Sequence, residues 1–366
     1  MVKILFLIHD LGQGGAEKVL VNLVNNMDPA KFDISVTALF GGGVNEQFLK
    51  PHIHFRAVFP KNFRGNIHVM KLLSPVQLHR LCVKEHYDIE VSYLEGPSAR
   101  VVSGCTDSDT KLLCWIHAQQ QNKQPFLPFR SEAEAQTCYR QFDEIICVAN
   151  AIREDFMGIY HCGKECKILY NTVESDVILR QSIEPAIELK EDGKLRLAAV
   201  GTLKAFKGYE RLLRIMRKLE NAHLYILGIG PMEAELKAYV RDNHLEDRVT
   251  FLGYQTNPYK YVAKCDLFVC ASFAEGFSTA ATEALIVGTP VCTTEVSGMR
   301  EMLGDNEYGI ITDNDEEALY EGIKDLLDHP EKLAHYKEKA AERGKWFSTE
   351  ETVRAVEEML LKLAGE

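Results

Sequence analysis

Two successions of short apolar runs, each run followed by a segment of helical period, constrain the fold more than any other feature of the chain. It opens with "VKILFLI", turns through glycines at "GQGGAE", and continues into "AEKVLVNLVNN", where Val19, Leu20, Leu23 and Val24 recur at helical spacing. A buried strand, a tight turn and an amphipathic helix follow from that pattern. The apolar runs "FDISVTALF", "IEVSYL", "KLLCWIH" and "EIICVAN" come next, separated by polar or helical segments. The pattern predicts a parallel sheet with helical crossovers. Periodicity then fades through the charged stretch "VESDVILRQSIEPAIELKEDGK" and restarts with "LRLAAVG", "AHLYILG", "VTFLG" and "LFVCAS" as strands between helical segments.

A chain of 366 residues is too long for one comfortable core. The reading is therefore α/β, with two Rossmann-like domains whose parallel sheets face each other across a cleft. The expected boundaries are 1–175 for an acceptor-binding first domain, 176–194 for a linker and 195–345 for a nucleotide-binding second domain. Residues 346–366 form a last helix that could pack back on the first domain. Parallel sheets bind ligands beyond the carboxyl ends of their strands, which here are "HDLGQGGAE", "EGPSAR", "HAQQQ" and "ANAIRED" in the first half.

Composition excludes several classes. No apolar run approaches the roughly 20 residues of a membrane helix, and the first strand is followed by His9, Asp10 and a glycine turn rather than a cleavage site. The net charge is −11, divided as −2 over residues 1–185 and −9 over 186–366, a poor balance for binding nucleic acid. One weakly basic segment, "KNFRGNIHVMKLL" from Lys61 to Leu73, could rest on an anionic membrane surface or be an ordinary exposed helix. The ten cysteines lie mostly in apolar runs, which suits reduced thiols in a cytoplasmic protein. His161, Cys162 and Cys166 form the one tight Cys/His cluster, but no second pair at structural-zinc spacing accompanies them. "DSD" at Asp107–Asp109 and "DND" at Asp313–Asp315 read as polar turns, so no metal site is expected.

The glycine turns are equally discriminating. "GQGGAE" has Glu17 and "GIGPME" has Glu233 where a dinucleotide fingerprint needs its third glycine, and no P-loop occurs. A different signal lies in "EGFSTAATE". Here a strand end is followed by a helix that should begin at Ser278 or Thr279 and close at Gly288. The first-turn amides and helix dipole would favour a diphosphate. Glu275 precedes the helix and Glu283 lies inside it, about 12 Å away if the eight-residue interval were helical. That exceeds the roughly 5–9.5 Å of a glycosidase pair, so separate roles fit better.

Those two acids around Gly276-Phe277, with "GTPV" following, resemble the signature of family 4 retaining glycosyltransferases of the GT-B fold. Further segments match in order: "GGAE", "WIHA", "YNTV", "VGTLKAFKG", "ILGIGPMEAEL", "VTFLGY" and "EVSGMRE". The resemblance implies transfer of a hexose or N-acetylhexosamine from a nucleotide diphosphate sugar, UDP favoured over GDP, to a glycan or lipid-linked glycan acceptor in surface polysaccharide synthesis. It implies Glu275 on hydroxyls of the donor sugar, Glu283 on the ribose, and the backbone of Gly276, Phe277, Ser278 and Thr279 at sugar or phosphate. It also implies Lys207 against diphosphate charge, Gly253 and Tyr254 near the base, Gly14 and Gly15 near the diphosphate, and His117 near the transferred sugar. The implied mechanism is same-face attack with no protein nucleophile, no metal and no other cofactor, in a cytoplasmic enzyme that can sit peripherally at the inner membrane face. Thr202 departs from the pattern, since an Arg usually stands there; Lys204 or Arg211 could replace it. A GT-B epimerase, an inverting transferase and a non-catalytic sugar-nucleotide-binding protein remain alternatives on the same residues.

Overall fold

The computed structural model describes residues 1–12, 15–120 and 124–365. The chain divides into two compact units, Met1–Val173 with Thr349–Glu366, and Glu174–Ser348. Among the described residues, the first unit holds a seven-stranded sheet of β1 (Val2–Ile8), β2 (Phe32–Phe40), β3 (His54–Phe59), β4 (Ile89–Tyr93), β5 (Lys111–Ile116), β6 (Glu144–Cys147) and β7 (Cys166–Ile168). The order is β3-β2-β1-β4-β5-β6-β7, and every pairing is parallel. The second unit holds six strands: β8 (Leu195–Val200), β9 (Ala222–Leu227), β10 (Val249–Gly253), β11 (Leu267–Cys270), β12 (Val291–Thr294) and β13 (Ile310–Thr312). Their order is β10-β9-β8-β11-β12-β13, again all parallel.

Both sheets are Rossmann-like, and each reverses its strand order once, between β1 and β4 and between β8 and β11. Such reversals open a crevice at the carboxyl ends of the two strands, because their crossovers leave in opposite directions. The strands are nearly continuous apolar runs because helices cover both faces: Ile4, Leu5, Phe6, Leu7 and Ile8 of β1 are all buried. The helix Tyr209–Met216 shows how the covering is achieved. It buries Leu212, Leu213, Ile215 and Met216 against the second sheet, at about 1.5–3 kcal/mol for each large apolar side chain relative to exposure.

The stretch 176–194, which composition marks as a linker, begins with a helix at Ser175–Ser182. Its Gln181 carbonyl accepts from Asn257 Nδ2 at 3.0 Å, and the segment belongs to the second unit. Charged composition concealed it, because only Ile178 and Ser175 of that helix are buried. The last helix, Thr349–Ala364, belongs to the first unit. Glu357 accepts from the Asp28 amide at 2.7 Å and from Lys31 Nζ at 3.0 Å, while Val353, Val356 and Leu360 are buried. No described helix is long and apolar enough to cross a membrane.

Candidate functional site

In the second unit Lys207, Glu275 and Ser278 come together at the β8/β11 reversal, whereas Gly253 and Tyr254 lie at the end of β10, two strands from β8. β11 runs into a loop at 271–278 and then into the helix Thr279–Ile286. Ser278 is the N-cap, its Oγ accepting from the Ala281 amide at 3.3 Å, and Gly288 ends the helix at φ +75°. Ala281, Thr282, Ala284, Leu285 and Ile286 are buried, which leaves Glu283 half-exposed. Tyr259 Oη lies 3.4 Å from Glu283 Oε1. Burial and the neighbouring Glu283 carboxylate push the Tyr259 phenol well up, so it stays protonated and can donate.

Glu275 is brought to Lys207 from the adjacent strand end. Lys207 Nζ donates to Glu275 Oε1 at 2.7 Å, and Ser272 Oγ donates to the same oxygen at 2.6 Å. Lys207 closes a short 3₁₀ turn after β8, and Gly208 follows at φ +69°. A Cβ on Gly208 would stand 1.8 Å from the Ala271 carbonyl oxygen, so glycine is what lets the β8 loop close on the β11 loop. A small cavity here is lined by Lys207, Tyr209, Cys270, Ser272, Glu275 and Ser278 among others.

Thr202 is exposed, and so is Lys204. Arg211 is only 1 % exposed, and its guanidinium is occupied: Nε donates to Ala271 O at 2.7 Å, one terminal nitrogen to Ser272 O at 2.6 Å and the other to Asn314 Oδ1 at 2.9 Å. Arg211 therefore props up the loop carrying Glu275 and is not a free cation for a ligand. Phe277 turns inward, buried and packed against Phe347 at 6.0 Å between ring centroids. Gly276 and Phe277 instead present backbone, on which Gly298 rests so closely that a Cβ there would lie 2.9 Å from both Gly276 O and Phe277 Cδ2. Gly253 ends β10 at φ +68°, and Tyr254 beyond it is 71 % exposed.

The first unit has a second cluster, at the ends of β4 and β5. The His117 ring lies 4.6 Å from Tyr93 and 6.2 Å from Trp115, centroid to centroid. His117 Nε2, Tyr93 Oη and Trp115 Nε1 are buried and have no hydrogen-bond partner among the described residues. Burial lowers the His117 pKa to about 3, so the ring is neutral at physiological pH. Leu94, between Tyr93 and Glu95, is held at φ +121°, a costly conformation for any residue that carries a Cβ. It delivers Glu95, whose Oε2 accepts the His117 backbone N–H at 3.0 Å. Gly15 opens the helix Gly15–Asn26 beside open space; Gly14 lies outside the described residues.

Sequence reasoning missed Ser272, Tyr259, Gly298, Tyr93 and Trp115, and it gave Arg211 a ligand-facing role that the occupied guanidinium rules out. "WIH" could have drawn attention to Trp115, whereas nothing near Arg211 in the chain shows that its guanidinium is spent on the 271–272 carbonyls. Asp315 proved to be the N-cap of the helix Glu316–Asp328, accepting from Ala318 N at 2.9 Å, and Asp107 bonds the Asp109 amide and His86. Both are turn and cap acids, as their contexts suggest.

The comparisons with known proteins agree over both units. A family model described as Glycosyltransferase Family 4 matches residues 13–177, and one described as Glycosyl transferases group 1 matches residues 181–343. The N-acetylgalactosamine-N,N'-diacetylbacillosaminyl-diphospho-undecaprenol 4-alpha-N-acetylgalactosaminyltransferase of Campylobacter jejuni is 30% identical over 370 residues, covering 99% of this chain and 100% of that one. The lipopolysaccharide core biosynthesis glycosyltransferase LpsE of Rhizobium meliloti is 22% identical over 86% of each chain. Among solved structures, Anabaena HepE in complex with UDP superposes with a TM-score of 0.78 at 19% identity, covering 98% of this chain and 100% of that one. At that identity the likeness shows the fold, which is GT-B. Two parallel Rossmann-like units, the two family models matched in order along the chain and a full-length relative at 30% identity establish that this chain belongs to the family 4 glycosyltransferases.

Proposed function

We propose that the chain is a retaining, metal-independent transferase that moves an N-acetylhexosamine or hexose from a UDP-sugar to a hydroxyl of a lipid-linked glycan in surface polysaccharide synthesis. The observation that carries this reading is the end-to-end match to the Campylobacter enzyme, whose name specifies α-N-acetylgalactosaminyl transfer to an undecaprenyl-diphosphate glycan. The UDP complex of HepE supports uracil as the base.

Each group then has a task. Glu283, with Tyr259 beside it, accepts the ribose hydroxyls, while Gly253 and Tyr254 meet the base. Lys207 and the amides of Gly276, Phe277, Ser278 and Thr279 at the helix entrance carry the diphosphate charge; Thr202 contributes only a hydroxyl. Glu275 holds donor-sugar hydroxyls, and its bond to Lys207 orients the lysine before the donor arrives. His117 offers a neutral imidazole, whose unpartnered Nε2 suits a sugar hydroxyl. The acceptor oxygen bonds to C1 on the face that the diphosphate leaves, the C1–O bond to phosphate breaks, and a departing phosphate oxygen takes the acceptor proton. No protein carboxylate acts as nucleophile. Residues 61–73 expose Phe63, Val69 and Leu72 beside Lys61, Arg64 and Lys71, a surface suited to an anionic bilayer bearing the acceptor.

The test is transfer from UDP-N-acetylhexosamines to a lipid-linked glycan, with the product anomer read by NMR. An α-linked product formed at an undiminished rate in excess EDTA is expected. An inverted linkage, acceptor-independent isomerisation of the donor, or complete loss of turnover restored only by Mn²⁺ would overturn the reading.

A further inference from the structure

We propose that His79, Glu90 and Cys105 form a zinc-binding site in the first unit, with water as the fourth ligand. One ligand atom from each residue can be chosen so that all lie within 4.8 Å of one another, the one such group of three among the described residues. His79 Nε2 sits 2.8 and 3.0 Å from the two Glu90 oxygens. The Glu90 side chain is 3 % exposed and that of His79 14 %, while Cys105 is half-buried, so the sulfur side is open to an entering ion.

The three ligands come from separate elements that are each fixed independently. Glu90 is the second residue of β4, paired with Leu5 of β1 on one side and Leu112 of β5 on the other. His79 lies on the helix Pro75–Cys82, anchored at its start by Pro75 and by a reciprocal capping box between Ser74 and Gln77. Cys105 follows Gly104, where a Cβ would stand 2.1 Å from the Pro75 carbonyl oxygen. That backbone approach keeps the thiol beside the helix that carries His79. Tetrahedral zinc at its usual bond lengths separates nitrogen, oxygen and sulfur ligands by roughly 3.3–3.6 Å. The His79–Glu90 pair need open by only about half an ångström to admit the ion. One imidazole, one carboxylate and one thiolate form a donor set suited to zinc, whereas magnesium and calcium require several oxygens. Glu90 stands at the amino end of β4 and Tyr93 at its carboxyl end, so the ion would tie a helix and a loop to the sheet, away from the cluster around His117.

The experiment uses the full chain with Co²⁺ as an optical probe for zinc. One Co²⁺ per chain with a thiolate-to-cobalt charge-transfer band is expected, and Cys105→Ser should abolish the band while Cys162→Ser leaves it intact. His79→Gln and Glu90→Gln should each weaken binding by about tenfold or more. Zn²⁺ should raise the thermal midpoint of the unaltered chain and not that of Cys105→Ser, whose folding far-UV circular dichroism verifies. No band in the unaltered chain, a band unchanged in Cys105→Ser, or an equal Zn²⁺ shift in both proteins would overturn the site.

Discussion

The two strand-end clusters solve opposite electrostatic problems. In the second unit Lys207 and Glu275 are charged, paired and braced by Ser272 and by the Arg211 strut beneath their loop. In the first unit His117, Tyr93 and Trp115 are aromatic and neutral, and His117 Nε2, Tyr93 Oη and Trp115 Nε1 have no hydrogen-bond partner among the described residues. A charged pair in a partly exposed corner can exchange one anionic partner for another, which suits a diphosphate. Unsatisfied donors and acceptors among buried rings cost roughly 1–3 kcal/mol each until something bonds to them, which suits the uncharged hydroxyls of a sugar. The contrast places charge chemistry on one unit and neutral hydrogen bonding on the other.

Four measurements would break or sharpen that contrast, the largest effect first. Glu275→Ala should lower kcat by about 100-fold, in the range for losing a preorganised electrostatic group, with a smaller change in donor affinity; full activity would remove Glu275 from the site. The second concerns His117. Its imidazole binds a proton near pH 6.5 when unfolded but only near pH 3 in the fold. Acid therefore favours the unfolded chain, and stability should fall by up to about 1.4 kcal/mol for each unit below pH 6.5. Urea midpoints at pH 7 and pH 5 for the unaltered chain and His117→Gln isolate the effect, since the variant should lose that part of the slope. Third, Glu283→Ala should weaken UDP binding about tenfold, or 1.4 kcal/mol, with kcat largely retained, as calorimetry would show. Fourth, Tyr93→Phe removes an unpartnered hydroxyl. It should stabilise the chain by up to about 1 kcal/mol while raising KM in transfer. An unchanged KM would mean that Tyr93 does not meet substrate.

Much of this was legible in the residues. Strand-helix alternation carried the parallel sheets, because fully buried strands must be apolar throughout and crossovers must be amphipathic. The helix entrance at Ser278 and its close at Gly288 were readable from local chemistry, since capping depends on neighbours a few residues apart. The helix Ser175–Ser182 was not, because few of its residues are buried. The three-residue strands β7 and β13 are too short to show a period.

Sequence by itself determined the fold class, the helix entrance between Glu275 and Glu283 and the unusual Thr202, because each is written in near neighbours or in a repeated pattern. Only the tertiary structure decided that Arg211 is a strut, that Tyr93 and Trp115 join His117, and that His79, Glu90 and Cys105 meet. The adjacent His161, Cys162 and Cys166 form no comparable three-ligand group among the described residues. The physical reason is the same in each case: what a side chain touches across a sheet depends on register and crossover direction, which place residues far apart in the chain within hydrogen-bonding distance.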